Sequence, residues 1–226
     1  MKLKNELSVR IRPDGSVLID DITDGIVSTK AITIEQLLVC LKSSVIREKI
    51  TVSSGILPRN CIAYTHFVED DSKLVVMVFE ADTAAVTYMK TEYPDFPIPK
   101  LVFGFHLNSK NRVISVRLGV TANEKLTEAT PMFIYPFSNV SGFGLCTGSN
   151  QLPTVRSLQQ LSNLPHFILG LPNNNDNFNE RNNALRLGHR ELMEHLRDKD
   201  TAYYYEKILL PMQGKTLADF LNAKKY

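Results

Sequence analysis

The pattern of apolar and polar residues opens the chain with two short strands. Leu7–Pro13 (LSVRIRP) and Ser16–Ile22 (SVLIDDI) alternate with period two, and Asp14-Gly15 between them is a strong hairpin signal. After Gly25, Thr33-Ile34-Glu35-Gln36 approximates an N-cap box, and Leu37, Leu38, Val39, Cys40 and Leu41 follow at helix-compatible positions. A helix over Thr33–Val45 is expected. From Asn60 the pattern changes to four strand candidates, Cys61–Val68, Leu74–Glu80, Leu101–Leu107 and Arg112–Val120. Asp70-Asp71-Ser72 and Asn108-Ser109-Lys110-Asn111 are turn-forming clusters, so each pair of runs reads as an antiparallel hairpin and the four together as a meander. Between the pairs, Ala84–Met89 reads as a helical turn, and the three prolines of Tyr93–Pro99 as an extended connection.

Beyond residue 150 the strand signal ends. Val155–Leu161, Glu180–Asp198, Thr201–Leu209 and Thr216–Ala223 carry helical patterns, with Leu185, Leu192 and Leu196 on one face of the long segment. Asn173-Asn174-Asn175-Asp176-Asn177 reads as a polar loop, with Asp176 to Asn179 available to cap that helix. The expected class is α+β, an antiparallel sheet followed by segregated helices, with residues 1–50 a hairpin-and-helix extension and 51–226 the main domain. At 226 residues the chain suits one sizeable core plus an extension.

Composition narrows the function. With 43% hydrophobic and 22% charged residues the chain should fold by itself, and 26 Lys plus Arg against 24 Asp plus Glu argue for neither nucleic acid nor a membrane surface. No apolar run approaches the roughly 18 residues of a membrane span, and no signal-like core follows Met1, so a cytoplasmic protein is expected. Cys40, Cys61 and Cys146 show no CxxC spacing, which argues against a disulfide framework or a zinc knuckle. Cys40 and Cys61 lie in apolar runs and read as core. His66, His106, His166, His189 and His195 lack metal-ligand spacing, so no metal is expected, and no cofactor. Gly142-x-Gly144 with Gly148 has the wrong spacing, and no βαβ context, for a dinucleotide loop.

The unusual stretch is Met132–Gly148, MFIYPFSNVSGFGLCTG, in which a Pro, an Asn, two close glycines and Cys146 follow the last sheet-like run. Gly142 and Gly144 so close together predict an irregular loop. It resembles the active-site region of ubiquitin-conjugating enzymes, where a His-Pro-Asn tripeptide after a four-stranded meander precedes the catalytic Cys. It resembles still more the bacterial branch known as PRTRC system protein B, of prokaryotic family D, where a Pro-Phe-x-Asn-Val run leads to a Gly-x-x-Cys-x-Gly-like sequence. Leu57-Pro58-Arg59-Asn60, Pro97-Ile98-Pro99 and Leu210–Leu217 extend the resemblance over most of the chain. Tyr135 stands where the family's His would be, two residues separate Pro136 from Asn139, and Asn139 lies seven residues before Cys146.

The resemblance implies a ubiquitin-conjugating-like fold, Cys146 as the nucleophile that carries a ubiquitin-like modifier as a thioester, and Asn139 as the oxyanion donor on transfer to an amine. It also implies partners: the ubiquitin-like protein, an activating enzyme that loads it, and a JAB-type peptidase that removes it. Asn139 reads equally well as a loop-ordering residue, and Tyr135 as packing. Thiol-for-thiol exchange is nearly isoenergetic, so Cys146 between Leu145 and Thr147, with no adjacent cation, suits an acceptor of activated acyl groups. Two rivals remain: a non-catalytic adaptor of the same fold, and a cysteine hydrolase, which requires a histidine at Cys146. Residues 1–50 hold no histidine and are expected to modulate partner binding.

Overall fold

The computed structural model describes residues 6–23, 25–44, 53–122 and 125–222. The expected helix end at Val45, the residues after Met1, and Ala223 lie outside them. The chain divides into two compact units, Met1–Ser53 and Ser54–Tyr226.

In the first unit β1 (Glu6–Ile11), β2 (Val17–Thr23) and β3 (Ile26–Ile32) form an antiparallel sheet, and α1 (Ile34–Ser44) follows. The Asp14-Gly15 turn is present, with Gly15 at φ 82°. Thr33 and Gln36 bond reciprocally, the Thr33 N–H to Gln36 Oε1 at 3.0 Å and the Gln36 N–H to Thr33 Oγ1 at 3.2 Å, which sets the start of α1. Two expectations change. The extension has a third strand, because Gly25 at φ 83° reverses the chain again. Cys40 is exposed, with Leu38, Val39 and Leu41 around it, because a unit of this size offers little apolar surface to cover all faces of its helix.

In the second unit β4 (Cys61–Phe67) and β5 (Ser72–Phe79) pair antiparallel, and β6 (Thr83–Tyr88) with β7 (Thr91–Pro97) then leave as a separate hairpin. The chain returns as β8 (Leu101–Leu107) against β5 and β9 (Val113–Val120) against β8. The hairpin replaces the expected helical turn and extended connection: Ala84, Val86 and Tyr88 alternate inward. Its prolines are tolerated because β7 is an edge strand and needs few of its N–H groups.

Both faces of the main sheet are covered, which is why β5 and β8 read as continuous apolar runs. Val75, Met77, Phe103, Phe105 and Leu118 enter the larger core. Leu74, Val76 and Val102 point the other way, into a second cluster with Met132, Phe143, Leu217 and Phe220.

The rest of the chain is not simply helical. It continues through β10 (Pro131–Phe133), β11 (Val140–Ser141) and β12 (Gly144–Leu145), a 3-10 turn at Leu158–Asn163, α2 (Leu164–Leu169) and β13 (Pro172–Asn173). After a 3-10 turn at Glu180–Asn182 come α3 (His189–Leu196), a π-helical turn at Tyr204–Ile208, β14 (Pro211–Thr216) and α4 (Leu217–Asn222). The expected helix over Glu180–Asp198 is broken because the fully buried Asn183 competes for backbone groups. Its amide donates to the Glu180 and Leu187 carbonyls, and its Oδ1 accepts from the Leu187 N–H. Arg186 beside it is left-handed, and Leu185 is exposed. The main sheet therefore has eight strands, ordered β11-β12-β9-β8-β5-β4 with β10 and β14 attached beside β9, in place of four strands followed only by helices. The molecule is a mixed α+β fold built on antiparallel sheets. No helix among the described residues is long and apolar enough to cross a membrane.

Candidate functional site

The Met132–Gly148 segment is more ordered than its glycines suggest. Phe133 pairs with Val120 of β9 and Pro211 of β14, and the Ile134 N–H donates to the Leu210 carbonyl at 2.9 Å. Phe137 is buried against Phe96, Tyr135 and Tyr204, ring centroids 5.4 to 6.3 Å apart. Tyr135 thus packs, and burial pushes its phenol well above the ordinary range.

β11 and β12 form a tight hairpin, correcting the irregular loop. Ser141 pairs with Gly144 around Gly142-Phe143, and of the two turn residues Gly142 alone has positive φ, at 58°. β12 lies along β9, and Phe143 is buried edge-on against Phe220 at 5.1 Å. The Cys146 N–H donates to the Asn139 carbonyl at 2.7 Å, so the two residues named from sequence close the base of one hairpin. Cys146 is exposed. Cys61 is half-buried: its thiol donates to the Ala63 carbonyl at 3.3 Å, and burial raises its pKa.

Asn139 is left-handed, at φ 64°, a conformation Asn tolerates better than most side chains. Its N–H donates to the Asp176 carbonyl at 2.7 Å and its amide nitrogen to Asn173 Oδ1 at 2.9 Å. Asn173 in turn donates to the Thr87 and Leu171 carbonyls. One end of the Asn139 side chain is therefore committed to holding the loop, while the amide keeps a second N–H.

Between the hairpin base and this loop lies a cleft of about 100 Å³, lined by Cys146, Asn139, Thr147, Asn150, Asn173 and Asp176 over apolar Leu145, Ile168 and Leu171. Asp176 is the only carboxylate among its lining residues, and none of them is a histidine, lysine or arginine. The hydrolase reading thus finds no histidine there. Sequence reasoning missed Asn173 and Asp176 as site residues. The run of asparagines was the signal, but it read as a solvated loop. No group of His, Cys, Asp and Glu among the described residues could hold a metal.

A mixed α+β fold in which an exposed cysteine follows a sheet-edge hairpin is consistent with a ubiquitin-conjugating-like protein. The profile of prokaryotic E2 family D matches residues 35–212, and the chain belongs to that family. No curated protein and no solved structure matches the chain.

Proposed function

We propose that this protein carries a ubiquitin-like modifier as a thioester on Cys146 and passes it to an amine acceptor, in the manner of a ubiquitin-conjugating enzyme with the UBC-like meander at its core. The observation that carries the reading is the placement of Cys146: exposed, held by its N–H to Asn139, at a cleft whose lining offers amides and one carboxylate but no general-base histidine.

In loading, the Cys146 sulfur attacks the thioester carbonyl on an activating enzyme. A new C–S bond forms, the old one breaks, and the Cys146 proton is taken up by the departing thiol. One thioester replaces another, so no strong base is required. In discharge, a neutral amine attacks the Cys146 thioester, the C–N bond forms, the C–S bond breaks with Cys146 leaving as a thiolate, and the proton lost by the nitrogen passes through water to that thiolate. This step builds an oxyanion, for which the second N–H of the Asn139 amide, at the cleft beside Cys146, serves as a neutral donor. Asp176, the carboxylate of the cleft, attracts a cationic amine and favours its approach to the thioester.

The partners of this reaction are a ubiquitin-like protein and its activating enzyme, with a JAB-type peptidase to reverse it, in a cytoplasmic setting. Incubation with the ubiquitin-like protein, the activating enzyme and ATP is expected to give an adduct on a non-reducing gel that thiol reduction removes. Cys146→Ala abolishes it, Cys146→Ser gives a thiol-resistant ester, and Cys40→Ala and Cys61→Ala retain it. Asp176→Asn slows discharge to a small amine and leaves loading unchanged. An adduct that survives Cys146→Ala overturns the proposal.

A further inference from the structure

The loop that walls the Cys146 cleft is anchored on two sides. Toward the cleft, the Asp176 carbonyl accepts the Asn139 N–H and Asn173 accepts the Asn139 amide. Away from it, the same loop rests on His189, the first residue of α3, through two side chains. Asn175 Oδ1 lies 3.2 Å from His189 Nδ1, and the Phe178 ring stacks on the imidazole with centroids 4.5 Å apart and planes 5° from parallel. Tyr88 completes the seat: its hydroxyl donates to the same Asn175 Oδ1 at 2.8 Å, and its ring lies 4.1 Å from the imidazole. Phe137, two residues before Asn139, also lies against the imidazole, ring centroids 6.2 Å apart.

A carbonyl oxygen already accepting from Tyr88 can take a second bond only from a donor, so Asn175 specifies the Nδ1–H form of His189. The imidazole is buried, and desolvation lowers its pKa to about 4, which keeps it neutral. A neutral histidine combines in one side chain a flat face for Phe178 and a donor for Asn175. Phenylalanine has only the first, asparagine only the second.

We infer that His189 is a positioning residue for the Cys146 site, locking the Asn173–Phe178 loop against Asn139 through the Nδ1–H to Asn175 bond and the stack on Phe178. The inference rests on the thioester reading for its catalytic consequence, but its structural content stands apart from it. His189 touches no reacting atom. It sets where Asn173 and Asp176 stand, and through them the left-handed Asn139.

Three measurements test this on the full chain. Nitrogen NMR of the unsubstituted protein should show His189 as the Nδ1–H tautomer, and an Nε2–H tautomer overturns the inference. In His189→Phe, which keeps the ring, the Asn139 amide should exchange its hydrogen roughly tenfold faster, the effect of one net hydrogen bond. Unchanged exchange in folded His189→Phe overturns the inference too. If the variant does not fold, the tautomer in the unsubstituted protein decides. In single turnover His189→Phe should slow discharge without raising the KM for loading, and His189→Phe/Asn175→Ala should be no slower than Asn175→Ala alone, because Asn175→Ala already removes the His189 bond together with that of Tyr88. Additive losses overturn the pairing. A protein that never loads a modifier, yet shows the Nδ1–H tautomer and faster exchange in His189→Phe, overturns the thioester reading and supports the positioning role.

Discussion

Asn139 shows how one residue answers to two demands. Its backbone must be left-handed for its carbonyl to meet the Cys146 N–H, and its side chain must reach Asn173. Replacement by Ala and by Gly separates these. Ala loses the amide and also takes up the left-handed penalty of about 1–2 kcal/mol, whereas Gly loses only the amide. Asn139→Gly is therefore expected to melt higher than Asn139→Ala, while both slow discharge, by about 10²–10³ if the amide is a preorganised oxyanion donor. Calorimetry and single-turnover rates check this, and unchanged discharge in Asn139→Gly assigns the residue to loop ordering alone.

His189 makes a second prediction at the same scale. Its pKa lies at about 4 in the fold against an ordinary 6.5, with desolvation the main cause, a bond to the Asn174 backbone opposing it, and the Arg190 charge a smaller lowering influence. The unfolded chain therefore takes up the proton first on acidification. The stability contributed by neutral His189 is complete above pH 6.5 and is lost progressively as the pH falls toward about 4. Tyr135 of the same apolar cavity, its phenol raised by burial, stays neutral through that window. Urea midpoints between pH 7 and 4 should fall less steeply for His189→Phe than for the unsubstituted chain, the difference isolating this group from the carboxylates that also titrate.

At the scale of elements, two glycines hold the hairpin before Cys146 for different reasons. Gly142 sits in open space, so a methyl group there meets nothing, but its φ of 58° strains any L side chain. Gly119 of β9 has ordinary φ, but a Cβ would lie 2.4 Å from Met132 Cε and 3.1 Å from the Phe220 ring. Phe220 in turn packs on Phe143 of the hairpin turn, and its carbonyl accepts from the Arg117 guanidinium at 2.8 Å. Gly142→Ala is expected to cost about 1–2 kcal/mol through the backbone. Gly119→Ala should cost about 1–3 kcal/mol by overpacking. The readouts differ: Gly119→Ala should loosen α4, seen as faster amide exchange over 217–222, whereas Gly142→Ala should leave that helix protected.

At the scale of the whole molecule, both hydrophobic clusters and every lining residue of the cleft fall within Ser54–Tyr226. A chain starting at Ser54 is therefore expected to unfold in one cooperative transition and to form the Cys146 thioester at sufficient partner concentration. Non-cooperative melting of this truncation would mean that the first unit contributes to the core fold.

The sequence by itself determined the strand pairs at Asp70-Asp71-Ser72 and Asn108–Asn111, the Thr33–Gln36 box, the α+β class and the segment around Cys146. Each rests on local signals, a period, a turn or a cap written in adjacent residues. Only the tertiary structure decided that Ala84–Tyr88 lies in a strand, that Asn183 breaks a helix its neighbours favour, and that Asn173 and Asp176 stand at Cys146. Tyr88 finds Asn175 and Asn139 finds Asn173 across 87 and 34 residues of chain. A hydrogen bond between residues so far apart has no local trace, because its partner is chosen by how the sheet and the returning loop pack, and packing is a property of the whole chain.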